Sequence, residues 1–498
     1  MPHKVSLGRK IVYFLALVFF IISSVIVTFF AFGYRFNFQH GIFIYSGTIT
    51  IKSTPKDVNI YLNGKPADQK TYDLINGSYN LNGIKPGSYL LEIKTPGYSS
   101  WKKQIAVHSG VATEFWNVIL TQDQAEKNRL DIVDPDYYKI SSNAEKIAFS
   151  NRQNGTLSIF IHSPKKQSSF QIFQETPNKA HAASLEFFEF SPDQQIAVFS
   201  IKEEDSTQSY LADLNQIEKQ GINDSTLIPL NPSLKKLLDN PKNPPFKTSS
   251  FKWLDSKNIF FLNNNSLYLY ALDKQELKLI HENIRGYEIS QNSLFYVQAP
   301  NNLVFKSDYN GQNTKQITEN LIDQDLSSDN DPWYKIIIYD DKRIALINQN
   351  HELYLYNDND KEYQIFKKIS PDATNAQFSD DGKKLLYFND YQIKVYYLRE
   401  WEVQPKNDVG SNVTIYQNKK EKIFNALWFK NYQNILFSQS QSINLVEIDL
   451  RDKINQSVVI KNNISNPQFS YNIQNDSIFF LELSDKYVQL FTTKFPPK

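Results

Sequence analysis

The chain has 498 residues and a mass of 57.9 kDa, more than one hydrophobic core usually serves, so we predict two or more domains. Its 54 Lys and Arg residues balance 53 Asp and Glu residues, and the net charge of +1 offers no bulk attraction to nucleic acid or an anionic membrane surface. The absence of cysteine excludes disulfides, zinc ribbons, iron–sulfur clusters, cysteine nucleophiles and lipid attachment at a cysteine.

The composition favours strands over helices. Aromatic residues make up 14% of the chain, with 29 Tyr and 35 Phe, whereas charged residues make up 21%. Strands with one solvated face would combine this aromatic content with the low mean hydropathy of −0.47. The predicted fold class is therefore mainly β.

An uncharged apolar run extends from Ile11 to Phe32. At 1.5 Å per residue in a helix, its roughly 22 residues match the ~30 Å hydrocarbon layer of a bilayer. We predict a transmembrane signal-anchor helix over residues 11–33, after a stub of residues 1–10. Two alternatives stay open: a signal peptide cleaved at Ala31-Phe32-Gly33, and a buried helix of a soluble domain.

Basic residues flank the apolar run unequally. Lys4, Arg9 and Lys10 precede it, whereas only Arg35 follows it closely. Because cytoplasmic flanks carry the excess of Lys and Arg, the N-terminus is predicted in the cytoplasm and the bulk of the chain outside. No second run of this kind occurs, so we expect a single-pass protein of the cell membrane.

Residues 47–121 alternate apolar and polar positions over about six short segments. Thr48–Ser53 and Val58–Leu62 are two such segments, and the second ends at Asn63-Gly64, a pair typical of a tight hairpin turn. Further strands are predicted over Ser88–Lys94 and Trp101–Val107. This pattern predicts a small β-sandwich.

The same segment resembles the PEGA domain, a carbohydrate-binding-like β-sandwich of surface-exposed bacterial and archaeal proteins. The resemblance implies an extracytoplasmic module without catalytic residues, and it leaves sugar binding open. Three aromatic residues are candidates for stacking on a sugar ring, with a place in the core as the alternative: Tyr89, Tyr98 and Trp101. The matching motifs are Ser53-Thr54-Pro55, Val58-x-Ile60-Tyr61-Leu62-Asn63-Gly64-Lys65, Leu81-x-x-Ile84-x-Pro86-Gly87-x-Tyr89 and Pro96-Gly97-Tyr98-x-x-Trp101.

Residues 133–498 contain a repeated unit, and residues 122–132 before it are predicted to be a linker. The unit reads aromatic-x-Phe-Ser-x-Asp, then a turn, an apolar strand and a later strand pair. About eight copies occur, at roughly 45 residues per copy, which is the length of a four-stranded propeller blade. We therefore predict a β-propeller, with eight blades favoured and seven as the alternative.

The repeat units resemble the WD40-like repeats of TolB-type propellers. Ser191-Pro192-Asp193 and the run from Ser379 to Lys383 are the copies nearest to the Phe-Ser-Pro-Asp-Gly-Lys consensus. Asp193 and Asp381 lie where the repeat needs a turn, so a structural role is predicted for both. Residues 215–245 interrupt the period and are predicted to be a surface insertion, with a short helix capped by Ser233.

No motif of a catalytic, metal or cofactor site is evident, so we predict no catalytic residue, no cofactor and no metal. There is no His-Glu-x-x-His, Gly-x-Ser-x-Gly or phosphate-binding Gly-rich loop. A cluster of Asp323, Asp325, Asp329 and Asp331 is predicted to be a solvated acidic loop, with a calcium site as the alternative.

The sequence predicts a non-catalytic, membrane-anchored extracytoplasmic binding or scaffold protein. Its propeller would present a surface to a protein or cell-envelope glycan partner, and nucleic acid is not an expected partner. One alternative is a hydrolase or lyase with its site in the central channel. The other is a cell-surface sensor, which would need a membrane partner because a stub of about ten residues is too short for an output domain.

Overall fold

The computed structural model describes residues 7–32, 34–37, 42–67, 70–153, 155–175, 183–204, 206–237, 248–290, 292–319, 333–358, 365–400 and 404–496. These residues form three helices and 42 strands. The strands belong to a two-stranded ribbon, the two sheets of a sandwich and eight further four-stranded sheets. The prediction of a mainly β chain with one N-terminal apolar helix is therefore confirmed.

The predicted membrane helix is α1 (Leu7–Ala31), which begins earlier and ends earlier than the sequence pattern indicated. Its segment Gly8–Ala31 is long and apolar enough to cross a membrane, and its apolar window is not buried against the rest of the chain. This exposure argues against a core helix and suits either an anchor or a signal sequence. A short ribbon follows, formed by β1 (Tyr34–Asn37) and β2 (Ile42–Tyr45).

The next 73 residues, from 47 to 119, form the sandwich. Its strands are β3 (Gly47–Thr54), β4 (Asn59–Leu62), β5 (Lys65–Pro66), β6 (Lys70–Asp73), β7 (Ser78–Ile84), β8 (Gly87–Lys94), β9 (Trp101–Val107) and β10 (Ala112–Ile119). One sheet has the order β10-β3-β7-β6, with β10 parallel to β3, and the other has the order β5-β4-β8-β9. Alternate residues such as Ile49, Ile51, Leu91 and Ile93 fill the core between the sheets.

The remaining strands form eight four-stranded sheets, which we call blades. Seven blades consist of consecutive strands, and in the eighth the order is β11-β42-β41-β40. The strands of these blades are β11 (Asn128–Val133), β12 (Tyr137–Ile140), β13 (Ile147–Gln153), β14 (Thr156–Ser163), β15 (Ser168–Gln174), β16 (Ser184–Phe190), β17 (Ile196–Glu203), β18 (Ser206–Asp213), β19 (Leu227–Pro229), β20 (Thr248–Trp253), β21 (Asn258–Asn263), β22 (Ser266–Ala271), β23 (Glu276–His281), β24 (Ile284–Ser290), β25 (Ser293–Gln298), β26 (Leu303–Ser307), β27 (Lys315–Gln316), β28 (Tyr334–Asp340), β29 (Arg343–Asn348), β30 (Leu353–Asn357), β31 (Phe366–Ser370), β32 (Asn375–Phe378), β33 (Lys384–Phe388), β34 (Gln392–Tyr397), β35 (Asn412–Gln417), β36 (Ile423–Trp428), β37 (Asn434–Gln439), β38 (Ser442–Glu447), β39 (Gln456–Lys461), β40 (Phe469–Asn472), β41 (Ser477–Ser484) and β42 (Tyr487–Lys494).

Apolar clusters fill the space between every pair of neighbouring blades. Seven clusters join blades that are consecutive in the chain. An eighth cluster joins the last blade to the first, because Ile132 and Leu490 pack there with Ile147 and Phe149. Eight interfaces between eight sheets define a closed ring, whereas an open stack would have seven. The described residues therefore form a propeller.

The first strand of the ring lies where the sequence pattern indicated a linker. β11 covers residues 128–133, and it pairs antiparallel with β42 from the C-terminal end of the chain. Residues 122–132 are therefore not linker throughout, because their second half closes the propeller. The alternation of Leu130 and Ile132 was the only sequence signal for this strand, and Ile132 is fully buried.

The repeat motif forms the turn between the first two strands of a blade. The Ser191 hydroxyl donates to Asp193 Oδ1 (2.6 Å) and accepts from the backbone N–H of Ile196 (3.0 Å). Ser379 donates to Asp381 in the same way (2.6 Å). Burial alone would raise the pKa of Asp381, but this hydrogen bond and others to the carboxylate lower it. The predicted structural role of both Asp residues is confirmed.

The predicted insertion contains two helices in its described part. The first is α2 (Leu214–Gln220), whose N-terminal cap is Asp213, and the second is α3 (Leu230–Leu237). The prediction that Ser233 caps the second helix is wrong, because Ser233 lies inside it. Its hydroxyl donates to the carbonyl oxygen of Pro229, four residues earlier (2.9 Å).

Substituting Ile132 tests the closure of the ring. We expect Ile132→Ala to lower the free energy of unfolding by about 2–5 kcal/mol, because it leaves a cavity in the last interface. The control is Leu483→Ala in the same blade, where the side chain is 42% exposed and the expected loss is below ~1 kcal/mol. Urea denaturation of the detergent-solubilised chain measures both variants. Equal losses would contradict the closing role of β11.

Candidate functional site

The first strand of each consecutive blade, and β40 in the eighth, line the central channel. In each of these strands one residue at the same register position lies between two neighbours that pack on one face of the sheet, so strand alternation turns it to the opposite face, at the inner edge of the blade. We call this set the channel ring. In ring order its members are Lys139, Glu189, Lys252, Glu288, Ile337, Gln377, Leu427 and Ser470.

Four consecutive members of the channel ring alternate positive and negative charge. Lys139 Nζ lies 3.1 Å from Glu189 Oε2, and Lys252 Nζ lies 2.8 Å from Glu288 Oε2. The four side chains are 28% to 41% exposed, so both ion pairs are partly desolvated and remain accessible from the channel. Solvent screening limits such pairs to about 1 kcal/mol each. The other four members of the ring are uncharged.

A cavity of about 1040 Å³ occupies the channel beside the blades that begin with β24, β28, β32 and β36. Its volume is at the upper end of the ~300–1,000 Å³ typical of small-ligand sites. Apolar side chains of the ring form part of its wall, and amides and hydroxyls form much of the rest. Polar lining residues include Ser290, Asn292, Ser293, Lys335, Asn375 and Gln377.

The carboxylates near the turn end of this cavity are already engaged or lie at its rim. Arg343 Nε donates to both oxygens of Asp340 (3.2 and 3.1 Å), and Lys306 pairs with Asp341 (3.3 Å). Burial alone would raise the pKa of Asp340, but the hydrogen bonds from Arg343 and from a neighbouring backbone N–H lower it. Asp380 is exposed at the rim.

Two inner strands, β24 and β28, approach each other closely in the wall of the channel. At Gly286 on β24, a Cβ atom would collide with the carbonyl oxygen of Tyr334 on β28. Because the backbone fixes the positions of the Cβ atom and of the carbonyl oxygen, the collision could be relieved only by moving one of the strands. Glycine at this position therefore allows the two strands to approach.

Two histidines of the propeller are bound to serine hydroxyls away from the channel cavity. His162 Nδ1 lies 3.0 Å from Ser169 Oγ, and His281 Nε2 lies 3.1 Å from Ser307 Oγ. Burial lowers the pKa of both imidazoles. Both are therefore neutral at pH 7, and they act as hydrogen-bonding residues of the blades.

The described residues include no group of three or more His, Asp or Glu side chains placed to hold a metal ion. The acidic cluster of Asp323, Asp325, Asp329 and Asp331 lies outside the described residues. The calcium alternative for that cluster stays a prediction.

The three aromatic residues predicted for sugar contact lie in or beside the sandwich core. Trp101 is 3% exposed, packs edge-on against Phe115 at 5.1 Å and offers no free ring face. Tyr89 and Tyr98 are half-buried against the same core, and the Tyr89 hydroxyl donates to the carbonyl oxygen of Lys85 (2.9 Å). The structure therefore does not join the three into one open surface. A ligand role for Tyr89 and Tyr98 stays a prediction.

Trp101 belongs instead to an interface between the sandwich and the blade of β36–β39. Its indole Nε1–H donates to Glu447 Oε2 (2.8 Å). The neighbouring Lys103 is completely buried, and its ammonium donates to three carbonyl oxygens, at 2.7 to 3.0 Å. Glu447 Oε1 lies 2.8 Å from the same ammonium. The three carbonyl groups belong to Asp449, Arg451 and Lys453.

Further hydrogen bonds near this buried lysine connect the sandwich to the blade. Asn455 Nδ2 donates to the carbonyl oxygen of Lys102 (3.1 Å), and the backbone N–H of Gln104 donates to Asp452 Oδ2 (2.7 Å). The guanidinium of Arg451 donates to the carbonyl oxygen of Glu114 (2.8 Å). The β9 and β10 edges of the sandwich are thus held on one blade. We call this set of contacts the sandwich latch.

Replacing Lys103 tests the sandwich latch. Lys103→Met leaves Glu447 and three carbonyl groups buried without their cation, and breaking a buried pair in this way costs about 3–5 kcal/mol. We expect amide exchange in β9 and in residues 448–455 to quicken by roughly 100-fold or more. Hydrogen–deuterium exchange with mass spectrometry measures this change.

The matched control is Lys102→Met in the adjacent position. The Lys102 side chain is 51% exposed and pairs with Glu92, so its loss costs at most about 1 kcal/mol. A similar increase in exchange for both variants would show that the buried ammonium does not hold the interface.

Comparison with protein families identifies residues 46–122 as a PEGA domain. This finding confirms the resemblance seen in the sequence motifs, and it matches the extent of the sandwich. The C-terminal part of the chain is a propeller by its sheet order and by its ring of interfaces. The chain therefore joins an N-terminal apolar helix, a PEGA domain and a β-propeller.

Several solved propellers are similar to the chain in overall fold. The C-terminal WD40 domain of Sif2 is 11% identical, with a TM-score of 0.47, and the match covers 75% of this chain and 99% of that one. The Dos1 propeller is 10% identical, with a TM-score of 0.47 and coverage of 74% and 94%. An oligogalacturonate lyase from Vibrio parahaemolyticus is 13% identical, with a TM-score of 0.37 and coverage of 74% and 94%. No curated protein matches the chain.

Proposed function

We propose that this protein is a membrane-anchored, extracytoplasmic binding or scaffold protein without catalytic activity. The observation that carries the proposal is the channel cavity of about 1040 Å³, whose lining binds by hydrogen bonds and fixed charges. The two carboxylates of the channel ring, Glu189 and Glu288, are held in ion pairs, whereas a general acid or base needs a free, correctly placed group. The partner is a protein or a glycan of the cell envelope.

Three features support an extracytoplasmic location. The apolar window of the helix is not buried inside the rest of the chain, basic residues precede it, and the PEGA domain is an extracellular module. The sandwich follows the helix after a short ribbon, and the sandwich latch fixes the propeller to it. The channel is therefore held at a set position relative to the membrane-proximal module.

Cysteine labelling tests the topology without background, because the chain has no cysteine of its own. Ile75 and Tyr487 are 95% and 52% exposed. We expect a membrane-impermeant maleimide to label Ile75→Cys and Tyr487→Cys in intact cells. Ser6→Cys should be labelled only after permeabilisation, because it precedes the helix.

Labelling of the Ser6→Cys variant in intact cells, or protection of the other two, would reverse the proposed topology. The unmodified chain serves as the blank. Loss of the Ser6→Cys label together with a shorter chain would identify a cleaved signal peptide in place of an anchor.

Site-specific photo-crosslinking tests whether the channel is the binding surface. A photoreactive amino acid at Asp341, which is exposed at the cavity mouth, should crosslink to an envelope component in intact cells. The control position is Lys274, at an exposed turn on the outer edge of a blade, where no adduct is expected. Adducts at Lys274 but not at Asp341 would place binding outside the channel.

A further inference from the structure

Lys335 is the cation of the channel that has no acidic partner among the described residues. It lies on β28 two residues before Ile337, so strand alternation places both on the same face of the sheet, and both line the channel cavity. Its ammonium donates to Asn375 Oδ1 (2.9 Å) at the start of the next inner strand. A lysine ammonium has three N–H donors, so two remain for a ligand or water.

The acids nearest to Lys335 along the inner strands are paired with other cations. Glu288 is the acid of the neighbouring blade, and it pairs with Lys252 at 2.8 Å. The three inner strands that follow β28 are β32, β36 and β40, and they contain no Asp or Glu. Asp340 lies five residues further along β28, about 17 Å away at strand geometry, and Arg343 binds it.

The environment of Lys335 also disfavours an isolated positive charge. Partial burial lowers the pKa of its ammonium, the positive charge of Lys252 lowers it further, and Glu288 opposes both effects. A bound anion would replace lost hydration and offset the repulsion from Lys252. A negatively charged ligand on the free N–H donors of Lys335 would therefore suit this site.

The surrounding wall supplies neutral hydrogen-bonding groups. Asn375 and Gln377 face the cavity from β32, and Ser290 and Ser293 face it from the neighbouring blade. Ile337 and Leu427 add apolar surface. Among the charged groups of this lining, Glu288, Asp340 and Asp341 are held in ion pairs with other cations, and Asp380 is exposed at the rim. A ligand with one carboxylate for the Lys335 ammonium, several hydroxyls and the apolar faces of sugar rings matches the groups that remain.

We propose that the channel cavity binds an acidic oligosaccharide, with the carboxylate of one sugar residue on the Lys335 ammonium beside Asn375. This inference rests on the proposed binding function and names its ligand class. The cavity of about 1040 Å³ has room for a ligand of several sugar rings.

Binding measurements on the purified full chain in detergent micelles test the proposal. The probes are short oligomers of galacturonic acid and of glucuronic acid, the neutral methyl esters of both, and an oligoglutamate peptide. We expect at least one acidic oligosaccharide to bind, and its methyl ester to bind at least ten-fold more weakly. A charged hydrogen bond contributes about 1.5–3 kcal/mol, so Lys335→Gln should weaken binding roughly ten- to hundred-fold.

Two further variants separate the site from general charge and folding effects. Lys335→Arg keeps the positive charge and should retain most of the affinity. Lys274→Gln removes one positive charge at an exposed outer turn and should leave affinity unchanged.

The proposal is overturned if no acidic oligosaccharide binds, if esters and acids bind equally, or if Lys335→Gln and Lys274→Gln behave alike. Binding of oligoglutamate alone would also overturn it, because the ligand would then be an acidic peptide. The cysteine-labelling result is independent of these measurements. A failure of the ligand class is therefore distinguishable from a failure of the extracytoplasmic binding role.

Discussion

The fold depends on covering both faces of every propeller sheet. A four-stranded sheet with two apolar faces needs a neighbour on each side, and only a closed ring gives every sheet two neighbours. β11 provides the last contact, and the N–H of Val488 donates to Asp134 Oδ1 (2.8 Å) across a separation of 354 residues. Bringing such distant segments together has an entropic cost, which the buried cluster around Ile132 offsets.

Closure of the ring also determines which side chains face the channel. On each inner strand, the neighbours on either side of one residue pack on one face of the sheet, and the residue between them lies on the other face beside the channel. In four consecutive blades this residue is charged, with alternating sign, and the four charges form two ion pairs. In the other four blades it is Ile, Gln, Leu or Ser. The uncharged half adjoins the cavity, where the Lys335 ammonium forms no ion pair with any residue that the structure describes and donates to Asn375 Oδ1.

Much of the architecture was predictable from local patterns, because the helix, the sandwich and the blades each repeat a period over many residues. In each repeat, the position between the two packed residues can be read from the sequence. This position indicates the members of the channel ring, which the sequence analysis did not predict. β11 was missed because it carries no copy of the repeat. The sandwich latch was not predictable, since Lys103 and its carbonyl partners are separated by about 350 residues and backbone carbonyls have no sequence signature.

The sandwich latch bears on the proposed scaffold role. A buried lysine surrounded by carbonyl groups and a carboxylate is costly to pull apart, because separation leaves each of them without its partner. Force or strain arising in the channel would therefore pass through Glu447 and Lys103 to the sandwich, and not only through the connecting residues 122–127. A connection of this kind suits a scaffold that holds a ligand at a fixed position. A sensor would instead need a joint with two arrangements of similar energy, and the burial of Lys103 gives one arrangement a large advantage.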